Sequence, residues 1–136
     1  MRSIEEVREF FSKDRYAAAA GAYVEEAGER CSVCSLELNE NHLNAYGGVM
    51  GAVYFTLADF AFAVASNAYL DEPDVVAVSV NIAYMNAARG KRLTARAECL
   101  KEGRSTCVYN VSVSDDTGRE VAAVQCTGFH TKQGRK

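Results

Sequence analysis

Between Val49 and Leu70 the chain runs for 22 residues with a single charge, Asp59. The length would suffice to cross a bilayer. The run also holds Thr56, Ser66, Asn67 and two tyrosines, however, its alanines add little to insertion, and a central aspartate is costly in lipid. A helix apolar on nearly every side can instead be buried inside a soluble domain. A long central helix is therefore expected over residues 49–70, ended by the "DEPD" segment at Asp71 to Asp74.

The flanking segments indicate what covers this helix. Ser3 and Glu6 have capping-box spacing, and Ile4, Val7, Phe10 and Phe11 recur at helical intervals, which predicts a short amphipathic helix within residues 1–15. "DRYAAAAGAYVEEAGERC" opens alanine-rich, breaks at Gly21 and continues as a strand that turns at Gly28. "RCSVCSLELNEN" alternates as a half-buried strand does. Beyond Pro73, Val76, Val78, Val80, Ile82 and Tyr84 recur with period two, on one face of a long strand. "RLTARAECL", "STCVYNVSVSD" and "REVAAVQCTGFH" follow, separated by turns at Lys101 to Arg104 and Asp115 to Gly118, and read as an antiparallel meander. The tail, 131–136, is expected to fray. With no βαβ alternation, this order predicts an α+β domain spanning residues 1–136, in which a curled antiparallel sheet of about five to six strands wraps the helix.

Composition narrows the function classes. With 49% hydrophobic and 24% charged residues the chain is ordinary globular material. A net charge of −3 argues against a general nucleic-acid-binding surface. The start, "MRSIEEVREFF", is charged throughout and has no secretory signal, so a cytoplasmic location is expected. Five scattered cysteines suit reduced core thiols better than disulfides. Motifs of serine hydrolases, phosphate loops, dinucleotide folds and zinc proteases are absent. Cys31 and Cys34 form a C-x-x-C, but strand residues three apart face opposite ways and no second pair or nearby histidine completes a site, so neither metal nor redox cofactor is expected. His42 and His130 are expected to be structural or exposed.

Asp59 requires a reason, because aspartate is a poor helix former and is rarely buried without a partner. It either hydrogen-bonds a neighbour such as Thr56 or Ser66, or occupies an exposed position by chance, or serves as a general base or nucleophile whose basicity is raised by desolvation. Gly47, Gly48 and Gly51 at the helix entry permit close backbone approach, and the first N–H groups of a helix lack internal partners. Such an entry can serve tight packing or can form an oxyanion site. Gly51 and Asp59 lie eight positions apart, about 12 Å along a helix. If both act on one carbonyl, the carboxylate comes from a second, antiparallel copy, and a two-fold dimer with two composite sites follows.

These residues resemble the hotdog-fold acyl-CoA thioesterases of the phenylacetate-pathway type. That family carries N-x-x-G-x-x-H-G-G followed seven residues later by an acid; Asn44, Gly47, Gly51 and Asp59 match, Ala52 replaces the last glycine and Met50 the histidine. "SVNIAYMNAARGKRLTARAE" is similar to the family's V-x-x-N-I-x-Y-L-x-P-A-x-G strand. The resemblance implies hydrolysis of an aryl- or medium-chain acyl-CoA, with Asn44, Gly51 and Asp59 as catalytic residues. Gly47, Met50, Ala52, Ser66 and Ala77 are expected along the substrate. Ala77 stands where some relatives have a serine or threonine, and Ser79, expected on the same strand face, is a substitute for it. Arg89, Lys91, Arg92 and Arg104 are the candidates for the coenzyme A phosphates. No cofactor is implied beyond coenzyme A within the substrate, and relatives are homodimers or homotetramers. The alternative is an acyl-CoA or acyl-ligand binding protein that has lost turnover. A hydratase on this fold would pair a histidine with its acid, and none lies in the helix region.

Overall fold

The apolar run folds as helix α3 over Gly51–Asn67 in the computed structural model, which describes residues 2–132. The helix is shorter than 49–70 at both ends. Met50 is an extended N-cap, and the carbonyls of Ala68, Leu70 and Asp71 accept hydrogen bonds from the Arg2 guanidinium, which satisfies acceptors the helix leaves free.

Six strands wrap this helix: β1 (Tyr23–Gly28), β2 (Cys31–Glu37), β3 (Val75–Tyr84), β4 (Arg92–Glu102), β5 (Thr106–Asp115) and β6 (Glu120–His130). They form one antiparallel sheet in the order β1-β2-β4-β5-β6-β3. The expected meander is β4-β5-β6, and β3 returns to the far edge beside β6. Leu93, Ala95, Tyr109, Val111, Val113, Val121 and Val124 bury their side chains from the sheet, and Leu57, Ala58, Ala61, Phe62, Val64 and Ala65 do so from the helix. Phe62 meets Tyr109 edge to face with ring centroids 5.4 Å apart. Each fully buried large side chain of this kind contributes about 1.5–3 kcal/mol.

Two helices replace the single one expected at the start, α1 (Ile4–Phe11) and α2 (Arg15–Ala20). Ser3 and Glu6 form the capping box as the spacing predicts, and Gly21, at φ 101°, closes α2 in a left-handed conformation that favours glycine. Phe11 packs edge to face on Phe60 of α3, 6.1 Å between centroids, and the Arg8 side chain donates to the carbonyls of Val24 and Glu25 on β1.

Strand β3 departs from the simple period-two pattern. Its register against β6 shifts between Ala77, opposite Gly128, and Ser79, opposite Thr127, so Val78 is the extra residue of a bulge. Gly128 lies on the buried face of β6 and Thr127 on the other. Ala77 and Ser79 therefore do not share a face, and Ser79 is no replacement for a hydroxyl at Ala77. Val80, Ile82 and Tyr84 keep the helix-facing side, while Val76 and Val78 are exposed along the sheet edge.

The cysteines are all free, with Cys34, Cys107 and Cys126 buried, Cys99 half-buried and Cys31 exposed, so Cys31 is no core thiol. Thr131 and Lys132, expected to fray, are held by hydrogen bonds to Asp74; residues 133–136 of the expected tail lie outside the described residues. Among the described residues no helix is long and apolar enough to cross a membrane.

Candidate active site

The loop that enters α3 is built by Asn44. Its Oδ1 accepts from the N–H of Tyr46 (2.9 Å) and of Gly48 (3.1 Å), and its own N–H donates to the Gly48 carbonyl at 2.7 Å. This side chain, expected in catalysis, thus spends its oxygen on the loop and leaves its Nδ2 free of these bonds. Gly47 has φ 83°, which an L side chain would strain. Before the loop, His42 is buried: Nδ1 accepts from the Asn39 N–H and Nε2 donates to the Ala20 carbonyl. It is a structural histidine.

The loop delivers an open helix start. Among the described residues, the N–H groups of Gly51 and Ala52 have no hydrogen-bond partner, whereas that of Val53 donates back to Met50. The positive end of the helix dipole adds to these two donors. The Tyr84 ring lies against Gly51, and a Cβ there would sit 2.8 Å from Tyr84 Cε1, so any larger residue would displace the exposed ring. Met50, at the position of the family histidine, is half exposed beside this start.

Most of α3 is buried, but Ala52, Phe55, Thr56, Asp59 and Ala63 form one incompletely covered stripe. Asp59 is exposed on this stripe. The neighbours offered as partners bond elsewhere: the Thr56 hydroxyl donates to the Ala52 carbonyl and the Ser66 hydroxyl to the Phe62 carbonyl, both at 2.8 Å. Ser66 is itself buried, which removes it from the substrate side. Asp59 makes no hydrogen bond or ion pair among the described residues. It borders a cavity of about 460 Å³ lined by Asp14, Tyr16, Phe55, Thr56, Phe60 and Tyr84, among others. Partial burial against these walls, and secondarily the charge of Asp14, lift its carboxyl above the usual range.

A second cavity, about 360 Å³, opens at the helix start between Val49, Gly51, Tyr54, Tyr84, Met85 and Asn86. Tyr84 lines both cavities. The sequence placed it only in a strand pattern; its part in the site follows from β3 running back along α3 to the Gly51 end. Another concavity, about 840 Å³, lies between residues such as Arg96, Glu98, Asn110 and Gln125 of the sheet and touches none of the candidate residues.

The connection after β3 folds over the first turn of α3, where the Tyr54 hydroxyl accepts from the Ala88 N–H at 2.8 Å. Arg89, Lys91 and Arg92 are exposed there, with no ion pair among the described residues. Arg119, absent from the sequence candidates, joins them by donating to Asn86 Oδ1 at 3.0 Å. Arg104 does not join: it follows the opposite end of the 11-residue strand β4, roughly 35 Å away at strand rise. One phosphate group cannot meet both.

Residues 46–122 match the thioesterase superfamily. Human acyl-coenzyme A thioesterase 13 is 30% identical over 102 residues, 74% of this chain and 70% of the relative. Among solved structures, a mutant of the phenylacetic acid degradation protein PaaI from Thermus thermophilus superposes with a TM-score of 0.78 at 31% identity, covering 85% of this chain and 97% of that one. A hypothetical thioesterase protein with coenzyme A from Streptococcus pneumoniae does so with a TM-score of 0.78 at 27% identity, over 90% and 95%.

Proposed function

The chain belongs to the thioesterase superfamily, on the hotdog fold and of the phenylacetate-pathway acyl-CoA type, and we propose that it hydrolyses an aryl- or medium-chain acyl-CoA thioester in a site shared by two copies. The observation that carries this reading is the unpartnered Asp59 carboxylate on the open stripe of α3, about 12 Å along the helix from the unpartnered Gly51 N–H. Within one chain they are too far apart for one carbonyl. A second copy, antiparallel across a two-fold axis, brings one chain's acid to the other's helix start.

Further features support the pairing. The open stripe, the long edge strand β3 and exposed Leu43, Tyr46, Met50, Val76, Val78, Tyr84 and Met85 provide apolar surface that a monomer would leave in water. Such pairing makes a homodimer, or a homotetramer when two dimers associate.

The thioester carbonyl oxygen accepts from the Gly51 N–H, which favours the oxyanion as charge develops. Asp59 of the second copy takes a proton from water, and the hydroxide attacks the carbonyl carbon. The tetrahedral intermediate then expels the thiolate of coenzyme A, which recovers the proton from Asp59. Direct attack by the carboxylate, with hydrolysis of the resulting anhydride, is the variant of the same geometry. Coenzyme A enters as part of the substrate, its phosphates at Arg89, Lys91 and Arg92, and no further cofactor takes part. Asn44 acts by shaping the loop, and Gly47, Met50 and Ala52 border the thioester.

Thiol release from aryl, short, medium and long acyl-CoAs tests the reading. It expects turnover that Asp59→Asn removes; no release above that variant from any ester would end it. Met50 favours a second reading, acyl-CoA retention without hydrolysis, because it leaves a half-exposed thioether where relatives hold an imidazole. Binding without turnover, with turnover restored by Met50→His, is the outcome that selects it.

A further inference from the structure

At the end of the sheet remote from the helix start, β4, β5 and β6 bring together a glutamate, a cysteine and a histidine. One ligating atom each of Glu102, Cys107 and His130 lies within 4.8 Å of the others. The register explains the meeting: Glu102 opposes Cys107 across β4 and β5, and Cys107 opposes Gly128, two residues before His130 on the same face of β6. Gly128 makes room, since a Cβ there would sit 2.8 Å from Cys107 Sγ. Cys107 is 1% exposed and His130 2%.

Two buried polar atoms of this cluster lack partners, Glu102 Oε2 and the hydroxyl of Tyr109, whose side chain is fully buried. Tyr109 stands two residues beyond Cys107 on the same face of β5, opposite Cys99. Buried groups of this kind are expected to have partners. His130 Nδ1 meets Asp74 Oδ1 at 3.0 Å, which orients Nε2 toward Glu102 and Cys107. A carboxylate on the outer nitrogen of a histidine is the usual support of a metal-binding imidazole.

We propose that Cys107 Sγ, His130 Nε2 and the Glu102 carboxylate bind a zinc-class divalent cation, with water or the Tyr109 hydroxyl as fourth ligand. A thiolate, an imidazole and a carboxylate are a zinc-type donor set, and the two anionic ligands offset the charge of the ion. Binding releases two protons, the Cys107 thiol proton and the one between His130 Nε2 and Glu102. To bind the ion, His130 Nε2 and the Glu102 carboxylate, now hydrogen-bonded to each other, exchange that contact for bonds of about 2.0–2.3 Å to the metal, and Cys107 Sγ closes on it from the third side. The cation would tie the ends of β4, β5 and β6 together and, through Asp74, the entry to β3. It lies apart from Asp59 and takes no part in thioester hydrolysis.

Chelator-treated full-length protein titrated with cobalt(II), and then with zinc, tests the site. The expected result is uptake of one ion per chain with thiolate-to-cobalt absorption that zinc abolishes. Cys107→Ser should lose that absorption, Asp74→Asn should weaken binding about 10–100-fold, and Cys31→Ser should change nothing. No stoichiometric uptake, or absorption that survives in Cys107→Ser and vanishes in Cys31→Ser, overturns the proposal. If Cys107→Ser does not fold, alkylation mapping on the wild type decides. Zinc should protect Cys107 and not Cys34, and equal labelling of Cys107 with and without zinc overturns the site.

Discussion

Replacing Asp115 by asparagine should destabilise the protein by an amount that depends on pH. Asp115 is buried at the β5–β6 turn, where Oδ1 accepts from the Thr117 N–H (3.0 Å), the Thr117 hydroxyl (2.6 Å) and the Arg119 N–H (3.1 Å), and Oδ2 from the Arg89 N–H (2.7 Å). Burial pushes its carboxyl up, but the Thr117 hydroxyl and the converging N–H groups outweigh that and hold it at about 2. Lowering a carboxyl from 3.8 to about 2 stabilises the native state by about 2 kcal/mol. Because the folded value lies below the unfolded one, this stability is fully present above about pH 4 and fades as pH falls through about 2. Urea unfolding of wild type and Asp115→Asn at one fixed protein concentration reads the difference. The gap should narrow by about 2 kcal/mol between pH 7 and pH 2. A gap that is absent at pH 7, or constant with pH, refutes the reasoning.

Three further outcomes are expected at the site. Arg89→Ala and Lys91→Ala should each raise KM for acyl-CoA by about 2- to 5-fold with kcat little changed, more at low salt, while Arg104→Ala leaves steady-state kinetics unaltered. Asp59 must be ionised to act as base, so kcat/KM should fall on the acid side through its raised pKa; Asp14→Asn removes one cause of that rise and should move the limb to lower pH, and an unmoved limb in the pH–rate profile contradicts the assignment. Gly51→Ala drives a methyl into the half-exposed Tyr84 ring, which can yield with little loss in thermal unfolding, but the disturbed oxyanion contact should lower kcat by about 10²–10³.

Much of this molecule was legible because local patterns and tertiary demands agree. Ser3 and Glu6 cap a helix by contacts within one turn, and the apolar run around Leu57 and Phe62 reads as a helix because a sheet covers it on most sides. The misses arise where a contact distant in sequence decides. Helix α3 ends at Asn67, whose side chain bonds the Val75 backbone in both directions while Arg2 holds the carbonyls that follow, and no periodicity carries that information. The bulge at Val78 reverses the faces of a strand whose composition alternates smoothly, so Ser79 was misplaced. Arg104 looked like part of a basic group because it follows Arg92 closely in sequence, while an extended strand separates them in space. Ser66 was placed beside substrate although its hydroxyl turns back to Phe62. Asp59 is legible as the unusual residue of its run, but the stripe that bears it shows only once the sheet is seen to leave one side of α3 open.

The central claim, that one copy supplies the acid and the other the helix start, is tested by mixing two inactive variants. Asp59→Asn and Gly51→Ala are each assayed alone for thiol release, then unfolded together, refolded and assayed as a mixture. In a mixed dimer one composite site holds both substitutions and the other holds neither, so random pairing should restore about a quarter of the wild-type sites. Recovery near that level is the result expected. Activity no greater than the average of the two variants, with mixed dimers demonstrated by mass spectrometry, would show that both groups act within one chain and would contradict the account.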